Sequence, residues 1–176
     1  MKIGITGVTR GFGKHLISEW SDKYTLTGVS LRKGVVEVIN QVKECDVFIN
    51  HAHNSIDQST LFKELFKIWK NKNKTIINFG TSAVYELNGI YPSYNSDKKH
   101  LYNLSKELVV NTPNKNVRVI NFNPSTLESN SEFDNFNKLK FSELAKILEF
   151  IINLPQHLEL SEICIKNTSR EKKTLS

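Results

Sequence analysis

The sequence predicts a doubly wound α/β fold, in which helices cover both faces of a parallel sheet. Three observations carry that prediction. Strand-like and helix-like patterns alternate from end to end, the pattern of a parallel sheet. The strand segments are short apolar runs, as strands buried on both faces require. The chain's 176 residues, 39% hydrophobic and 24% charged, suffice for one domain burying roughly 70% of its unfolded surface.

In order, Lys2–Thr6 reads as a buried strand and Gly13–Trp20 as a helix. Tyr24–Ser30 is a second strand and Val35–Lys43 a second helix. Asp46–Asn50 is a short apolar strand, followed by the strongly apolar helix Ser59–Lys70. Thr75–Phe79 is a strand, Tyr94–Val110 a long helix, Val117–Phe122 a strand and Phe141–Asn153 a helix. Ser161–Ile165 is a candidate last strand. No repeat or linker divides the chain, so residues 1–176 are read as one domain. The Asn- and Ser-rich stretch Asn123–Asn137 is expected to be a loop over a site.

Composition narrows the function. No apolar run approaches the ~20 residues of a membrane span, and Met1–Gly7 enters a strand and a glycine turn where a secretory leader would be apolar. Cys45 and Cys164 lie far apart with no paired framework, which suits a reducing cytoplasm. The net charge of +6 comes from scattered lysines. Their clusters, Lys70-Asn71-Lys72-Asn73-Lys74 and Arg170-Glu171-Lys172-Lys173, fall in turn-like or terminal segments. This is a solvated surface rather than a nucleic-acid track, and one that favours anionic ligands.

Thr6-Gly7-Val8-Thr9-Arg10-Gly11-Phe12-Gly13 joins the first strand to the first helix. Small residues there let the backbone approach a pyrophosphate, whose charge meets amide hydrogens and the positive helix end. Gly13-Lys14 resembles the end of a Walker A loop, but Val8 stands where its first glycine belongs and His15 where it needs Ser or Thr.

This turn resembles the T-G-x-x-x-G-x-G motif of the short-chain dehydrogenases/reductases, and the resemblance extends over almost the whole chain. It implies a Rossmann-like fold that binds NAD or NADP through Gly7, Thr9, Arg10, Gly11, Phe12 and Gly13. The second strand ends Gly28-Val29-Ser30-Leu31-Arg32-Lys33, without the carboxylate that would accept bonds from ribose hydroxyls. Arg10 and Arg32 suit a phosphate instead, so Ser30 and Arg32 are expected near the 2′-phosphate of NADP, with NAD disfavoured. Asp46–His53 resembles D-x-x-x-N-N-A-G. Asn50 and Ala52 match it, while His51 replaces the second Asn and His53 the Gly. His53 is expected to crowd the cofactor or alter the backbone. The His51/His53 pair lacks a nearby third ligand, so no metal is expected.

The family's substrate-orienting serine maps to Thr81 or Ser82, and the choice stays open. Its acid–base tyrosine precedes a lysine by four residues, which places both on one helical face. Tyr94/Lys98 and Tyr102/Lys106 both satisfy this. The second pair has the family's Ser before Lys, but the spacing favours the first. Tyr94 lies 13 residues after Thr81 and 30 before Pro124, whereas Tyr102 gives 21 and 22. With Tyr94, moreover, Leu101, Leu104 and Leu108 fall on the family's core-facing positions. Lys98 would lower the phenol's pKa and hold the nicotinamide ribose. Asn54, 27 residues before Thr81, is the nearest match to a proton-relaying asparagine. Pro124 resembles the start of P-G-x-x-x-T, which packs on the carboxamide, with Ser125 in place of Gly.

Relatives carry a further strand and helix where only Leu31–Cys45 stands here. The third strand is therefore expected to be missing, leaving family order 2-1-4-5-6 with Ser161–Ile165 as a candidate seventh. Helix Ser59–Lys70 carries Leu61, Phe62, Leu65, Phe66, Ile68 and Trp69, more than one stripe hides. A partner helix is expected, and the resemblance implies a homodimer or homotetramer. The function implied is hydride transfer between NADP and a small carbonyl/alcohol substrate. Its pocket would come from Tyr85–Ser93 and Ser125–Lys138. The alternatives are a nucleotide-sugar epimerase or reductase, suggested by Thr81-Ser82-Ala83-Val84-Tyr85, and a non-catalytic dinucleotide sensor or scaffold.

Overall fold

A computed structural model describes residues 1–85, 92–131 and 137–167. Six strands form one parallel sheet: β1 (Lys2–Thr6), β2 (Thr25–Val29), β3 (Val47–Asn50), β4 (Thr75–Phe79), β5 (Arg118–Pro124) and β6 (Glu162–Ile165). Their order is β2-β1-β3-β4-β5-β6. A single helix, α2 (Val35–Val42), carries the chain from edge strand β2 to β3 beside β1. The family's third strand is thus missing, as expected, and the candidate last strand pairs with β5. Pro124 closes β5 opposite Ile165.

Alternation along the strands divides the core. On one face Ile3, Ile5, Val47, Ile49, Ile77, Phe79, Ile120 and Phe122 pack with α1 (Gly11–Trp20) and α5 (Phe141–Ile152). On the other, Phe48, Ile76 and Val119 lie under α2, α3 (Asp57–Trp69) and α4 (Pro92–Val110). Two residues further along these strands, Asn50, Asn78 and Asn121 are register partners. They form a buried polar row on the α3/α4 face at the carboxyl ends of the strands, the end where open α/β sheets bind ligands.

One expectation from α3 is corrected. Leu61, Phe62, Leu65, Phe66 and Trp69 are all buried within the chain, and only Ile68 is exposed. The helix lies between α2 and α4, so its flanks as well as its inner face are covered, and Trp69 Nε1 donates to the Lys43 carbonyl at 3.0 Å. The same chain supplies the partner helices, and a homodimer or homotetramer gains no support from α3. On α4, Leu101 is buried and Leu104 and Leu108 pack against the same cluster. No helix among the described residues is long and apolar enough to cross a membrane.

Candidate active site

The site begins at the glycine turn. Thr6 Oγ1 accepts hydrogen bonds from the amides of His51 and Ala52, each at 2.8 Å, and so ties the turn after β3 to the turn after β1. Gly11 has φ +57° and nothing within 4 Å of where a side chain would start, so the loop is open there. Arg10 is extended and makes no side-chain cap on α1. The first amides of that helix therefore lack a side-chain acceptor at their positive end, which fits a phosphate group. Gly13 is needed for a different reason: a Cβ would sit 2.3 Å from the Gly7 carbonyl oxygen. Gly13→Ala is expected to lower the free energy of unfolding by about 3 kcal/mol in urea titrations, because backbone rather than a side chain must give way.

The two histidines after β3 diverge. His51 turns inward, edge-on to Phe12 and Phe79 at 5.8 and 4.8 Å. Its Nδ1 is buried without a partner and lies 3.0 Å from the Cβ position of Gly7. Burial, reinforced by Lys98, pushes it down to about 4, so it is neutral at physiological pH. His53 points to α4, where its Nε2 meets Asp97 Oδ2 at 3.0 Å. His51 is therefore the histidine that stands against the glycine turn, and His53 the one that faces α4. No group of three potential metal-ligating side chains gathers among the described residues.

Lys98 is almost fully buried. Its Nζ donates to Gln58 Oε1 at 2.8 Å and to the Phe79 carbonyl at 2.7 Å, at the end of β4. Desolvation pulls the amine down from 10.5 to about 7. One turn earlier, the ring of Tyr94 lies 5.5 Å from the same Nζ, and burial raises its phenol. Tyr102 and Lys106 lie elsewhere. Tyr102 donates to Glu162 Oε2 on β6 at 3.0 Å and accepts from Lys106 Nζ at 3.0 Å. Glu162 also takes a short hydrogen bond from Tyr85.

Gln58 is the residue that sequence reasoning missed. Its Nε2 donates to the carbonyls of Asn50 at 2.6 Å and Phe79 at 3.1 Å, and Asn50 Nδ2 returns a bond to the Gln58 carbonyl at 3.0 Å. Asn54 stands one turn before it, exposed, and donates to Asp57 at 2.5 Å, away from Lys98. One signal was available: Gln58 shares the buried stripe of Leu61, Phe62 and Leu65, an unusual place for an amide unless it has partners. Asn50 likewise serves this network, also donating to Asn78 Oδ1 at 3.1 Å.

Thr81 and Ser82 follow β4 directly. Ser82 is buried, and Thr81 Oγ1 accepts from the Ala83 amide at 3.3 Å. At the other end, Ser30 Oγ accepts from the Arg32 amide at 3.4 Å, and the Arg32 and Arg10 side chains are exposed. Much of the expected substrate pocket, residues 86–91 and 132–136, lies outside the described residues.

The comparisons agree with this architecture. The closed form of serine dehydrogenase complexed with NADP+ superposes with a TM-score of 0.78 at 16% identity, over 100% of this chain and 98% of that one. The 3-alpha-hydroxysteroid dehydrogenase of a Pseudomonas species complexed with NADH gives 0.75 at 14%, over 94% and 95%. A Serratia marcescens short-chain dehydrogenase/reductase mutant gives 0.72 at 12%, over 93% and 95%. No family model matches the sequence, and no curated protein matches it. The chain has the fold of the short-chain dehydrogenases/reductases, a Rossmann-like α/β sheet.

Proposed function

We propose that this protein is a nicotinamide-dependent oxidoreductase of the short-chain type, acting on a carbonyl/alcohol pair in the cytoplasm and preferring NADP. The observation that carries the reading is the Tyr94/Lys98 pair on α4, with the lysine anchored at the end of β4. The neighbours complexed with NADP+ and NADH support the cofactor class.

Gly7, Thr9, Gly11, Phe12 and Gly13 would hold the diphosphate on the open turn and uncapped helix end. Arg10, Ser30 and Arg32 would meet the 2′-phosphate, and Ala52 and Pro124 would line the nicotinamide side. The bound cofactor supplies the hydride and the redox change. Tyr94, kept protonated by burial, donates its proton to the substrate oxygen, and Thr81 or Ser82 orients that oxygen. Lys98 stabilises the phenolate that results.

A second reading, a dinucleotide-binding protein without turnover, draws on one observation: Lys98 Nζ is already engaged by Gln58 and Phe79. Titration of NADPH fluorescence, followed by a panel of ketones, aldehydes and quinones, separates the two. NADPH is expected to bind about tenfold more tightly than NADH, a difference Arg32→Ala removes, as loss of a charge-assisted phosphate contact predicts. Oxidation of NADPH by a panel member supports the enzyme, whereas binding without any oxidation supports the second reading.

A further inference from the structure

Lys98 is sealed from solvent by the residues that hold it. Two of the three protons an ammonium offers go to Gln58 Oε1 and the Phe79 carbonyl. Gln58 in turn spends both its amide donors' direction on the carbonyls of Asn50 and Phe79. The asparagine nearest the expected relay position, Asn54, faces Asp57 instead. No side chain of this polar network carries a titratable group other than Lys98 itself, so the route inward from Tyr94 leads to amides.

The outward side of Tyr94 is different. His53 sits edge-on to its ring with centroids 4.9 Å apart, and the far nitrogen of that imidazole is fixed by Asp97 at 3.0 Å. Both members of the pair are partly open to solvent, with side-chain exposures of 32% and 28%. Among the described residues, the groups that contact or face His53 are Tyr94 and Asp97, with the Lys98 ammonium beyond the Tyr94 ring. Imidazole is the side chain whose charge changes most readily near neutral pH, and an Asp on one nitrogen leaves the other to exchange protons, as in other base–orienter pairs.

We propose that the His53–Asp97 pair is the proton entry of this site, returning a proton to Tyr94 from solvent in place of a relay through Lys98. This rests on the reading of Tyr94 as acid. In carbonyl reduction the hydride from reduced nicotinamide forms the new C–H bond. The Tyr94 O–H bond breaks as its proton passes to the substrate oxygen. The phenolate left behind takes a proton from the His53 imidazolium, directly or through one water, and the neutral imidazole recovers its own from solvent. One hydride and one solvent proton are consumed per carbonyl reduced. His53 acts through Tyr94 and is in that sense a positioning residue.

The test needs no turnover in its first arm. A fluorinated tyrosine placed at position 94 brings the phenol's ionisation into an accessible range, where absorbance follows it in the folded protein. Imidazolium beside phenolate favours the charged phenol, so His53→Gln is expected to raise that midpoint by about one pH unit. His53→Gln keeps a hydrogen-bonding group towards Asp97, so a purely structural clamp predicts no shift, and an unmoved midpoint overturns the proposal. In the second arm, His53→Ala is assayed with NADPH and the carbonyl compound turned over in the panel. A kcat at least about tenfold lower, with KM unchanged and recovery on adding imidazole, supports the relay. Undiminished kcat, or loss that imidazole does not restore, overturns it. If Tyr94→Phe keeps full turnover, the reading of Tyr94 itself fails, whatever His53 does.

Discussion

Tyr94→Phe is expected to slow carbonyl reduction by about 1,000-fold while leaving NADPH affinity and stability close to those of the unchanged protein. The substitution removes one oxygen and its proton. The ring contacts with His53 at 4.9 Å and with Lys98 Nζ at 5.5 Å are made by carbon atoms that phenylalanine keeps. Among the described residues, no other phenol is placed to take over. Tyr102, two turns further along α4, is committed to Glu162 and Lys106, at the β6 side of the sheet. Tyr85 is also bonded to Glu162, and it accepts from Asn123 Nδ2 at 2.8 Å. Burial and the neighbouring carboxylate raise the Tyr85 phenol, which makes it a weaker acid still. Tyr102→Phe is the matched control, with kcat expected within about twofold of the unchanged protein, as for a residue outside the reacting geometry. The reverse result, with Tyr102→Phe inactive and Tyr94→Phe active, would assign the chemistry to the other pair.

The sheet and its trimmed third strand were legible because they depend on pattern and length. A stretch as short as Leu31–Cys45 holds a helix but no additional strand, and α2 occupies it. Boundaries moved where a residue's role is tertiary. Helix α3 starts at Asp57 rather than Ser59, because Gln58 is drawn into the helix by bonds to β3 and β4 that no local propensity encodes. The same limit explains α3's apolar arc: periodicity counts how much surface must be hidden, but not that α2 and α4 hide it. The divergence of His51 and His53 also lay beyond spacing. Residues two apart in an extended segment share a face, so the two rings part only because the chain turns after β3, where the Thr6 hydroxyl holds the His51 and Ala52 amides.

Lys98→Met is expected to make the ligand-free protein more stable than the unchanged one at pH 6 and less stable at pH 10.5. Burial lowers the amine from 10.5 to about 7 in the folded chain. Between those values the unfolded chain holds a proton that the folded chain has released, so the unchanged protein gains stability as pH rises through that window. Below it, the cost of the buried charge is fully present and amounts to about 5 kcal/mol at 1.36 kcal/mol per unit. Methionine fills a similar volume and carries no charge. It forfeits two hydrogen bonds worth about 1 kcal/mol each, although the Phe79 carbonyl keeps Gln58 Nε2 at 3.1 Å. That loss does not depend on pH, so it decides the order only in alkali, where the folded amine is neutral and the unfolded one is already losing its proton. Tyr94 titrates in both proteins and cancels in the difference. Urea unfolding at several pH values should therefore give two curves that cross, with a difference changing by several kcal/mol between pH 6 and 10.5. A constant difference would mean that water reaches the Lys98 ammonium through the Gln58 seal, and the case for proton entry on the His53 side would weaken with it.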